Sequence, residues 1–128
     1  MKFTMRILIG LVGLFNIFVG LSFLFNPAKM ATDFALSPLG VQGMATMRAD
    51  FPAFFLTGGI FALIGAWRMD PKPLLVPLML LSAALFGRFV SIALDGTAPT
   101  TLPPMIAEAV MIACLSVAYR VFGKRENG

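Results

Sequence analysis

Five charged side chains stand inside or at the ends of long apolar runs: Arg48, Asp50, Arg88, Asp95 and Glu108. Two guanidinium groups against three carboxylates nearly balance, as a desolvated network requires. Arg88 is the extreme member. It lies well inside residues 74–95, an apolar run about the length of a bilayer crossing. A charge at membrane depth costs roughly 2.5–3.5 kcal/mol on insertion scales, so it faces protein or water and has a partner. Glu108 is its expected counter-ion, and Arg48 is expected to pair with Asp95 or Asp50. Asn16, also in an apolar run, is expected to bond between helices, with a ligand contact as the sharper alternative.

Other chemistry is thin. The chain has no histidine and one cysteine, Cys114, set in an apolar stretch with no basic neighbour to activate a thiol. There is no metal-ligand spacing and no glycine loop shaped to cradle phosphate. The expectation is therefore no cofactor, no metal and no visible catalytic nucleophile. The ten basic residues against six acidic ones cluster at the ends of the apolar runs. That pattern fits topology and anionic headgroups, not nucleic acid.

The elements that position these groups follow from hydropathy. Of 128 residues, 59% are hydrophobic and 12% charged, with mean hydropathy +0.90. The expected fold class is all-α, an integral membrane four-helix bundle forming one domain over residues 1–128. The approximate spans are 7–25, 44–67, 74–95 and 104–121. Gly13, Asn16 and Gly20 share one face of the first helix; Gly58, Ala62 and Gly65 share one face of the second. Small residues let helices approach closely, within the bundle or between copies of the chain. Asn26-Pro27 signals the start of a short interfacial helix over residues 27–34, with Met30 and Phe34 dipping into the interface and Lys29 and Asp33 staying wet. The link behind it is the longest in the chain, and the candidate lid or docking surface. Pro52 either kinks the second span or marks where its regular helix begins.

Three residue clusters carry a resemblance. Arg48-Ala49-Asp50-Phe51 heads a Phe- and Gly-rich helix, and Phe86-Gly87-Arg88 and Ala93-Leu94-Asp95-Gly96 lie on the next. Over roughly residues 8–119 the chain resembles the bacterial four-helix membrane proteins grouped as domain of unknown function 4345. Pro52 departs from that pattern. A looser likeness, at fold level alone, is to DoxX-like small membrane proteins. The resemblance implies a bacterial inner-membrane protein and no particular activity.

Two functional readings lead. The first is an accessory or scaffold subunit with a membrane-protein partner or a second copy of itself, its ion network fixing helix register. The second is an outward-facing polar cavity that binds a lipid or other anionic amphiphile. It would be lined by Arg48, Arg88, Asp50, Asp95 and Glu108, with Asn16 at its floor and Phe54, Phe55 and Phe89 as apolar walls. Proton-coupled transport and catalysis rank below both.

Orientation follows from charge. Four spans put both termini and the central turn on one side, with Lys2, Arg6, Arg68, Lys72, Arg120, Lys124 and Arg125. Lys29 and Arg48 lie on the other. That asymmetry predicts cytoplasmic termini. A reporter fused after Gly128 should be active only in its cytoplasmic form; activity only outside the cytoplasm would refute the orientation.

Overall fold

The computed structural model describes residues 1–124; Arg125 and the rest of the polar tail lie outside them. The chain forms α1 (Lys2–Phe25), α2 (Pro27–Asp33), α3 (Gly40–Arg68), α4 (Leu75–Asp95) and α5 (Leu102–Gly123), with no strand among the described residues. A single 3₁₀ turn, Lys72–Leu74, leads into α4. Four of these helices are long and apolar enough to cross a membrane. The short α2 is not one of them.

The helices outrun the sequence expectations at several ends. Helix α3 begins at Gly40 and runs unbroken through Pro52, so regular helix does not start at the proline. Helix α5 begins at Leu102, ahead of Pro103 and Pro104. Two prolines are tolerated there because the first-turn amides have no helical acceptor to lose. Helices α2 and α3 both end in the same closing motif. The Leu36 amide donates to the Ala31 carbonyl at 2.7 Å, and the Asp70 amide to Gly65 at 3.1 Å. Between them Ala35 and Met69 take positive φ, 57° and 48°, where glycine is the usual residue.

The long helices form a ring in the order α1, α3, α4, α5, and α1 with α3 is by far the largest interface. Glycine explains it. A Cβ added at Gly13 would lie 2.9 Å from the Gly59 carbonyl oxygen; one added at Gly59 would lie 2.7 Å from the Gly13 carbonyl oxygen. The two backbones therefore touch, as small residues allow in a bilayer. Gly20 meets the Leu56 side chain, and Gly65 the Leu74 side chain of the 3₁₀ turn, at similarly close range. The small-residue faces of α1 and α3 are thus consumed inside the bundle and are not left over for a second copy.

Two apolar clusters complete the interior. Ile9, Ala62, Leu74, Leu81, Leu115 and Ala118 fill the half near the termini. Val19, Phe23, Met30, Ala31 and Met47 fill the other. Phe23 is fully buried and is the hub of the second cluster, with ring centroids 4.9 Å from Phe34, 4.9 Å from Phe51 and 5.8 Å from Phe55. Such pairs add about 0.5–1.5 kcal/mol each beyond burial. Met30, in the short helix α2, and Phe34, at its end, pack onto the bundle end in the cluster around Phe23.

Replacing Gly59 with Ala should lower stability by about 1–3 kcal/mol, because backbone stands in the way of the new methyl group. Gly87→Ala adds its methyl to open space and should be neutral or stabilising. Thermal unfolding in detergent, followed by circular dichroism, compares the two; equal effects would contradict the backbone contact.

Candidate functional site

The site starts from the α4–α5 hairpin. Residues 96–101 link two antiparallel helices, so positions equally far from the link meet at equal depth. Arg88 lies seven residues before the end of α4 and Glu108 six residues after the start of α5. At 1.5 Å per residue both are about 9–10 Å in from the helix ends. The structure brings them together: Arg88 Nε donates to Glu108 Oε1 at 2.7 Å. Gly96, at φ +85°, ends α4 and lets the chain turn.

The two partners are not equally enclosed. The Glu108 side chain is 11% exposed and the Arg88 side chain 36%. Glu108 sits behind, toward the core; Arg88 covers it. Only Nε of Arg88 is engaged by protein. Its two terminal nitrogens have no hydrogen-bond partner among the described residues, and no buried polar side-chain atom there lacks one. The open edge of the guanidinium is therefore accessible, and an accessible fork of two N–H groups matches a carboxylate or phosphate.

That edge borders a cleft of about 570 Å³. Its floor is the small-residue face of α4: Ala84, Gly87, Arg88 and Ser91. The hairpin link contributes Gly96, Thr100 and Thr101, and the end of α2 contributes Asp33, Phe34 and Ala35. From Gly96 to Ala84 the cleft follows α4 for about 18 Å. Hydroxyls and the Asp33 carboxylate lie toward its loop end; Ala84 and Gly87 lie toward the bundle middle. An added Cβ at Gly87 meets nothing within 4 Å, so that glycine leaves room in the cleft.

Of the expected site residues, the structure joins Arg88 and Glu108 and separates the rest. Arg48 and Asp50 are exposed and make no ion pair among the described residues, with each other or with Asp95. Asp95 is also exposed and accepts from Ser91 Oγ at 3.3 Å. Helix ends reach water, so these charges have no need of protein partners. Asn16 is buried between α1 and α5, donating from Nδ2 to the Val12 carbonyl at 2.8 Å and to Met111 Sδ at 3.5 Å. It is a helix-to-helix contact, not a cavity floor. Phe54 and Phe55 belong to the aromatic cluster around Phe23, and Phe89 faces outward. None of the three lines the cleft.

The cleft residues that sequence reasoning missed are Asp33, Thr100 and Thr101. Asp33 is exposed and reads as a wet surface charge until the end of α2 is seen to border the cleft. The Thr-Pro link carries no pattern that says which way its hydroxyls turn.

A double-mutant cycle tests the pair. The half-open geometry puts it between a surface and a fully buried ion pair, so Arg88→Gln and Glu108→Gln should show a coupling of about 2 kcal/mol in detergent unfolding. A coupling near zero would mean that the two side chains do not stabilise each other.

Comparison with known proteins adds one finding. The family model described as "Domain of unknown function (DUF4345)" matches residues 4–119. No curated protein and no solved structure matches the chain.

Proposed function

The chain belongs to the DUF4345 family, and we propose that it is a small inner-membrane protein that holds an anionic amphiphile in the Arg88 cleft. The observation that carries this is the divided use of one guanidinium. Nε is tied to Glu108, while the terminal nitrogens are left open beside a cleft of about 570 Å³. Glu108 is then a positioning residue. It compensates the charge of Arg88 in low dielectric and fixes the plane of the fork without occupying it.

The form of the cleft supports an amphiphile over a small ion. A carboxylate or phosphate on Arg88 would have Thr100 and Thr101 in the same cleft as hydroxyl partners, and an alkyl or isoprenoid chain could follow Gly87 and Ala84 toward the bundle middle. Asp33 in the same cleft suits a guest that carries a hydroxyl or amine next to its anion. The amphiphile would enter from the side opposite the termini, the outer leaflet if both termini are cytoplasmic.

A second reading, an accessory subunit of a larger membrane assembly, has its own observation. Helix α4 is the least enclosed of the four long helices, with Met79, Phe86, Phe89, Val90 and Leu94 all exposed. Transport has less support. Beyond Glu108 the interior is closed by Ile9, Ala62, Leu81, Leu115 and Ala118, which offer no polar path.

Native mass spectrometry of protein purified in mild detergent separates these. The expected result is a bound species of lipid mass, retained in Gly87→Ala and lost in Gly87→Leu, whose larger side chain takes up space in the cleft. Helical content should stay unchanged in both. A bound mass that Gly87→Leu leaves intact, or a bound protein with no lipid, would refute the cleft as the binding site.

A further inference from the structure

A second groove lies at the opposite end of the bundle, and its chemistry is independent of the Arg88 cleft. It has a volume of about 520 Å³ and is lined by Arg6 and Gly10 from α1 and by Leu63, Ile64, Trp67 and Arg68 from α3. Arg6 is pinned in it. Its Nη2 donates to the Trp67 carbonyl at 2.9 Å, and its guanidinium carbon sits 5.5 Å from the centroid of the Trp67 ring. A guanidinium over an indole face is held by the ring quadrupole, and the same contact leaves its outer edge available. Nε and Nη1 of Arg6, and all of Arg68, make no hydrogen bond to protein among the described residues. Two cationic forks therefore flank a groove whose remaining walls are apolar.

The groove runs from charge to hydrocarbon. Trp67 is largely exposed and marks the membrane–water boundary, as indole rings do. Gly10 lies one helical turn deeper than Arg6, and an added Cβ there meets nothing within 4 Å. The glycine thus leaves a channel beside Leu63 and Ile64 at acyl-chain depth. The charge of the surroundings selects the occupant. This end carries Lys2, Arg6, Arg68, Lys72, Arg120 and Lys124 against Asp70 alone among the described residues.

We propose that the Arg6–Trp67–Arg68 groove seats an anionic phospholipid of the adjacent leaflet, with its phosphate on the two guanidinium groups and an acyl chain along Gly10, Leu63 and Ile64. The seat anchors the α1–α3 pair, the most tightly packed part of the bundle, to the bilayer surface at a fixed height. Juxtamembrane basic residues gain from anionic lipid in just this zone.

Trp67 is the single tryptophan of the chain, so its fluorescence reports this groove and no other. The full-length protein is placed in phosphatidylcholine vesicles containing a fixed fraction of phosphatidylglycerol. Brominated acyl chains are carried in turn by one lipid or the other, and quenching of Trp67 gives the relative affinity for the two. The expected preference for phosphatidylglycerol is about fivefold or more for each basic residue engaged. Arg6→Gln should reduce it, and Gly10→Leu should abolish it by filling the acyl channel. Gly10→Leu also raises helix propensity, and its Cβ enters open space, so the fold is not at risk. Equal quenching by the two lipids overturns the proposal. So does a preference that either variant leaves intact, because charge attraction without a seat would ignore Gly10→Leu. The Arg88 cleft contains no tryptophan, and its occupancy does not enter the reading.

Discussion

Arg88 cannot stand alone at its depth in α4, and Glu108 is what makes its position tenable. The pair forms because two antiparallel helices joined by a short link bring equally deep positions face to face. In low dielectric each charge would be expensive without the other, and together they tie α4 to α5 at one register. The tie is also asymmetric. Because Nε alone is spent on Glu108, the remaining edge of the guanidinium is a charged group held in place and still accessible. The ion pair thus uses one nitrogen of the side chain and leaves the two terminal ones open.

The rest of the bundle divides into a rigid part and an open part. Helices α1 and α3 touch through backbone at Gly13 and Gly59, and Asn16 carries α1 across to Met111 on α5. At the far end, Phe23 gathers Phe34, Phe51 and Phe55, so that α2 is clamped onto the bundle. That clamp matters for the cleft, because Asp33, Phe34 and Ala35 form one of its walls. Helix α4 is the least enclosed of the long helices. Its small-residue face opens onto the cleft, and its large apolar residues face outward toward lipid or a partner.

Much of this was legible from sequence for physical reasons. Four long apolar runs have few alternatives to a membrane bundle, and Arg88 with Glu108 was the pairing that burial demanded. The glycine faces announced close packing, but only the structure shows that α1 packs on Gly59, one residue off the expected face, while Gly58 and Gly65 lie against Leu80 and Leu74. What was not legible is what energy does not compel. Arg48, Asp50 and Asp95 sit near helix ends, where water solvates them, and hydropathy alone cannot tell a clustered end from a cluster in contact. The fold-back of α2 depends on Phe23, which reads in sequence as one of thirteen phenylalanines. Without that hub Asp33 has no visible place in a site, and the loop behind α2 looks like a lid when its beginning is a wall.

The central claim is that Arg88 is shared between Glu108 and an anionic guest. Solid-state NMR of the protein in phospholipid bilayers, with ¹⁵N-arginine and ¹³C-glutamate labels, measures both contacts on one side chain, with Arg88→Gln supplying the background to subtract. The expected result is dipolar coupling of Arg88 Nε to the Glu108 carboxylate carbon, together with coupling of its terminal nitrogens to lipid ³¹P or to the carboxylate carbon of a ¹³C-labelled guest. Terminal nitrogens coupled to Glu108, with no guest signal, would show that the ion pair consumes the whole guanidinium and that the cleft is not a binding site.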